Sequence, residues 1–77
     1  MTPTQFAALH QLMGWHQGSA VADACRLVLV EGMTHTAAAL ATGVARPNVS
    51  ASLRKARQVR EAAQVLAALI PDAAAAP

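Results

Sequence analysis

Tyrosine is absent from this chain, and phenylalanine and tryptophan occur once each. Seventy-seven residues so poor in large apolar groups make one small domain, near the lower limit for independent stability. Hydrophobic residues are 55% of the total, but much of that is alanine, which buries little area. Part of the stability is therefore expected to come from oligomerisation. The single cysteine, Cys25, excludes an intrachain disulfide. It lies in a helical apolar run, which fits a buried thiol better than a nucleophile or metal ligand. The four acids, Asp23, Glu31, Glu61 and Asp72, are scattered with no paired spacing, which argues against carboxylate-pair catalysis. His10, His16 and His35 with Cys25 match no common zinc-ligand spacing. No metal, cofactor or enzymatic activity is expected. Neither a secretory signal nor an apolar run long enough to span a bilayer is present, so the expectation is a cytoplasmic protein with no membrane partner.

What is present is helix-forming sequence with clear start signals. Thr2-Pro3-Thr4-Gln5 offers an N-cap, a proline at the first helical position and a capping-box glutamine. Phe6, Leu9 and Met13 then form one buried stripe, Gly14 closes the helix, and Trp15 covers the core from the loop. Ser19 caps a second helix, with Asp23 near its positive end. Val21, Cys25 and Val28 share a face of it, while Leu27, Leu29 and Val30 make its end apolar nearly all round, as in a central helix. Gly32 is expected as its C-cap. The predicted fold class is all-α, in four or five helices.

Residues 34–57 carry the strongest local pattern, THTAAALATGVARPNVSASLRKAR. Thr34 caps a third helix of roughly residues 35 to 41. Ala39 is the small residue where two helices approach, Gly43 supplies a turn at positive φ, and Val49 locks the next helix in place, with Ala38, Val44 and Leu53 completing the apolar side. The fourth helix begins near Arg46. Ala45 is a poor cap, so its first amides are left for water or for a phosphate. Its outer face carries Arg46, Pro47, Ser50, Ala51 and Arg54. Five of the six Lys and Arg residues (Arg46, Arg54, Lys55, Arg57, Arg60) fall within residues 46–60, uninterrupted by any acid. The formal net charge is only +2, so this local patch, rather than the overall balance, points to nucleic acid.

At about residues 4 to 60 the chain resembles the plasmid repressors of the KorA (TrfB) and KorC type. The likeness is carried by TPTQF near the start, RLVLVEG at 26–32 and GVARPNVS within residues 34–57, a stretch that reads as a helix-turn-helix. It implies a helical, dimeric, plasmid-encoded protein that binds palindromic operators to silence promoters, with Arg46 as the base-reading arginine at the start of the recognition helix. Two departures stand out. Ala51 replaces a base-reading glutamine, and the longer C-terminal dimerisation domain of KorA is missing, which makes the short form closer to KorC.

No Pro or Gly occurs from Asn48 to Ile70, so the fourth helix either runs on unbroken or kinks near residues 57–60. Val59, Ala63, Leu66 and Ile70 repeat at helical spacing with Leu69 beside them. This seam either folds back on the first helix or, as favoured here, pairs with the same seam of a second chain. The expected organisation is a helix-turn-helix domain at residues 1–60, a dimer-contact helix at 61–70 and a disordered tail at 71–77. The expected function is a dimeric, sequence-specific repressor on double-stranded DNA. Arg46 and Arg54 would read guanine, Pro47 and Ala51 would touch thymine methyls, and Ser50 would reach base or backbone. Phosphates would fall to Thr36, His35, Asn48, Lys55 and Arg57. The alternative is a small helical interaction module with a basic docking helix. Such a helix usually carries large apolar anchors, which the face of residues 46–54 lacks.

Overall fold

Hydroxyl side chains start three of the four helices among the described residues. The computed structural model describes residues 1–69, and those residues form α1 (Pro3–Met13), α2 (Ala20–Leu29), α3 (His35–Thr42) and α4 (Arg46–Leu69). The fold is all-helical. At α1 the Gln5 N–H donates to Thr2 Oγ1 at 3.1 Å and the Thr2 N–H donates to Gln5 Oε1 at 2.9 Å, so the predicted capping box is closed. Ser19 and Thr34 accept from Ala22 and Ala37 in the same way at 3.2 and 3.1 Å. Each cap satisfies an amide that the helix cannot, and is worth about 1 kcal/mol.

The end of α2 differs from expectation. Its C-cap is Val30, still right-handed, whose N–H donates to the Arg26 carbonyl at 2.8 Å. Gly32 lies beyond it at φ 76°, in the bend closed by the Met33 N–H donating to the Leu27 carbonyl at 3.0 Å. The positive φ is needed to reverse the chain into that bond rather than to stop the helix.

Two small cores meet on α4. One gathers Phe6, Leu9, Cys25 and Ala56, with Trp15 packed on the outside. Trp15 stacks on Phe6 at 6.0 Å between centroids and 26° between planes, and His10 sets its ring edge against both. The other gathers Ala24, Ala38, Ala39 and Val49, with Val28 and Val44 at its margin. Leu53 packs against both. The second core is nearly all alanine, so the helix axes come close together, and only a single larger side chain, fully buried Val49, fits between them. α2 contacts each of the other three helices, as its all-round apolar end predicts.

α4 is one continuous helix of 24 residues, which resolves the expected alternatives in favour of the unbroken one. At 1.5 Å per residue it is about 36 Å long. The molecule measures 42 × 21 × 19 Å, so α4 sets its long axis and overhangs the other helices. From Glu61 to Leu69 only Ala63 is even half-buried. No described helix is both long and apolar enough to cross a membrane.

Candidate nucleic-acid interface

Three residues, Gly43 to Ala45, join α3 to α4. Gly43 caps α3 at φ 74°, ψ 9°, its N–H donating to the Ala39 carbonyl at 2.9 Å. Only a residue without a Cβ takes that conformation freely. Val49 then anchors the second turn of α4 on Ala38 and Ala39, which fixes how the rest of α4 faces solvent. At the start of α4, Pro47 has no N–H to satisfy, and Asn48 and Val49 both donate to the Ala45 carbonyl at 2.9 and 3.2 Å. No side chain caps this end among the described residues, unlike the other three helices.

The helical period sorts the predicted site residues into three strips. Pro47, Ala51 and Arg54 follow one another at four and three residues, on the face turned away from Val49 and Ala56, and all three are exposed. Arg46, Ser50 and Arg57 form the flank nearer α3, while Asn48 and Lys55 form the opposite flank, both exposed. Thr36 is exposed on α3. The only ion pair among the described residues is Arg26–Glu31, an exposed contact at 3.5 Å. None of the five cations of α4 therefore forms an ion pair there, and the one acid on the same helix, Glu61, lies just past the end of the run.

Ser50 and His35 are placed otherwise than expected. Ser50 is half-buried on the flank, and its Oγ shares a 3.0 Å hydrogen bond with His35 Nδ1, the imidazole tautomer deciding which group donates. Each therefore satisfies the other instead of standing free, and the pair ties the start of α3 to the second turn of α4. A contact across fifteen residues leaves no trace in local spacing. Leu40 was also not singled out from the sequence. It is 80% exposed on α3, the most exposed large apolar side chain among those described.

The expected dimer seam is split by the structure. Val59 packs against the core of Phe6, Leu9, Cys25 and Ala56, and Ala63 lines a groove shared with α1. Val59 thus belongs to the domain's own packing, while Ala63 is half-buried at the edge of that groove. Leu66 and Leu69 are 58% and 75% exposed, and Val65, absent from the expected seam, is 58% exposed beside them. The uncovered face is thus Ala62, Val65, Leu66 and Leu69, rotated from the predicted one because α1 claims the Val59–Ala63 side. Ile70 and the expected tail at 71–77 lie outside the described residues.

Cys25 is fully buried, and desolvation pushes its thiol up to about 11, so it stays protonated at neutral pH and acts as a small apolar filler. Among the described residues, no three of His, Cys, Asp and Glu come together as a metal site would require. No protein-family model matches this chain, and neither does any curated protein or solved structure.

Proposed function

We propose that this protein is a sequence-specific DNA-binding repressor that acts as a symmetric dimer on a palindromic operator. One observation carries the reading. The first twelve residues of α4 present exposed Arg46, Arg54, Lys55 and Arg57 without ion-pair partners among the described residues, separated by small Pro47 and Ala51, on a helix held by a short turn. Small side chains let a helix approach the floor of a major groove, and guanidinium forks match the O6 and N7 of guanine. Arg46 and Arg54 are assigned to base reading, with Pro47 and Ala51 against thymine methyls. Lys55, Arg57, Asn48 and Thr36 are assigned to phosphates. His35 and Ser50 act on this reading as a pair, either bracing α4 against α3 or meeting a phosphate together.

One chain supplies one such helix, so a two-fold operator needs two copies. The uncovered face of Ala62, Val65, Leu66 and Leu69 is the surface assigned to that pairing. Selection of bound sequences from a random duplex pool tests the reading: an inverted repeat should be enriched. On the selected site, Arg46→Ala should lose about 1–3 kcal/mol while random DNA is bound nearly as before. No enriched sequence, or equal losses on both DNAs, would reject base reading by this helix.

A further inference from the structure

We propose that a cleft between the end of α2, the start of α3 and the middle of α4 binds a small amphipathic anion, a carboxylate on an apolar body, and that its occupancy weakens DNA binding. The second clause rests on the DNA-binding reading above; the first does not. The cleft has a volume of about 470 Å³, within the range of small-molecule sites, roughly 300–1,000 Å³. Its floor is aliphatic. Val28, Leu29 and Leu53, all half-buried, turn apolar surface into it above buried Leu9 and Ala56. One wall is cationic: Arg54, Arg57 and Arg60 follow at three-residue steps along α4 and are exposed. The His35–Ser50 pair stands on the lining as well. No carboxylate lines the cleft, and Glu61, one turn beyond Arg57, pairs with none of the three arginines among the described residues.

These two surfaces select the chemistry. An uncharged apolar molecule would cover the floor and leave the three arginines of the wall without a counter-charge. A fully hydrated inorganic anion would meet the arginines and leave the floor wet. A carboxylate with a short hydrocarbon body does both, its oxygens on the planar forks of Arg and its chain on Leu53 and Val28. Arg54 and Arg57 are also assigned to DNA. A ligand that holds them competes with the duplex for the same charges, and linkage then requires that each lowers the affinity of the other.

Amide chemical shifts of the full chain, titrated with sodium hexanoate and with uncharged hexanamide, test the site without DNA. Saturable shifts around Val28, Leu29, His35 and Leu53 are expected, with hexanamide binding about tenfold more weakly. The double variant Arg57→Gln, Arg60→Gln should weaken hexanoate by a similar factor while keeping its helical circular dichroism, because both side chains are exposed. In a second arm, hexanoate at constant ionic strength should raise the apparent Kd for a fluorescent duplex. Shifts that are absent, that lie elsewhere, or that are equal for amide and acid overturn the site. Hexanoate binding with an unchanged duplex Kd overturns the coupling. A chain that binds hexanoate but no duplex at all refutes the DNA-binding reading and leaves the cleft standing.

Discussion

Replacing Gly43 isolates the cost of one backbone conformation. The residue sits at φ 74°, and a Cβ built there meets nothing within 4 Å, so a side chain at this position is penalised by backbone strain alone. For alanine that strain is roughly 1–2 kcal/mol, offset in part by the lower entropy of the unfolded chain, about 0.4–1 kcal/mol. A net loss of about 1 kcal/mol follows for Gly43→Ala. Valine, branched at Cβ, should lose about 2–3 kcal/mol, whereas asparagine, which visits this region readily, should lose little. In a domain of this size 1 kcal/mol moves Tm by about 4–8 °C. Thermal melts by far-ultraviolet circular dichroism should therefore rank the variants Asn, Ala, Val in order of falling Tm. An order of Ala, Asn, Val, which tracks side-chain volume, would instead reveal a crowded neighbour. A Gly43→Val protein that melts with the parent would mean that α3 and α4 are joined by some other turn.

Leu66→Glu, at a side chain 58% exposed in the single chain, should leave helical content intact and yield a monomer at concentrations where the parent sediments as a dimer. A parent that is itself monomeric, or a variant that still pairs, removes the α4 face from the interface. Lys55→Ala should weaken binding to all duplexes alike and lower the salt slope by about one, measured as log Kd against log salt; an unaltered slope takes Lys55 off the phosphate backbone. The Cys25 thiol rises in the folded state from 9.0 to about 11, so its contribution is fully present below the lower value and is lost as pH rises through the window between them. At about 1.36 kcal/mol per pH unit that loss approaches roughly 2–3 kcal/mol, seen as a Tm that falls over this window and falls less in Cys25→Ala.

Local chemistry made much of this fold legible. Thr2, Ser19 and Thr34 announce helix starts through hydroxyls that the first-turn amides need, and Gly43 marks a turn that other residues resist. Val49 and Ala39 were readable because a small residue and a branched one at that spacing have to meet if two helices cross there. What stayed hidden depends on the whole assembly. Gly32 signals a positive φ but not whether it falls at the helix end or in the bend beyond it. The His35–Ser50 bond joins residues that no period connects. The seam of α4 was rotated because a 3.6-residue repeat says which side chains are neighbours, while only the docking of α1 decides which of them remain uncovered.

Because α4 is unbroken, its two ends are locked in phase. Pro47 and Val65 are eighteen residues apart, as are Ala51 and Leu69. Eighteen residues make roughly five turns at 3.6 residues each, so both pairs share an azimuth, about 27 Å apart along the axis. The helix thus behaves as a straight shaft whose grip and tip point the same way, and whatever seizes the apolar tip approaches from the side that Ala51 faces. Inserting two residues between Arg60 and Val65 would lengthen the shaft by only about 3 Å but spin the tip by about 200°, turning it to the opposite side. Tolerance of such an insertion would mean that torque along α4 is of no consequence to the protein. Intolerance, with recovery at about seven added residues, close to two full turns, would mean that direction rather than distance is what the helix conveys.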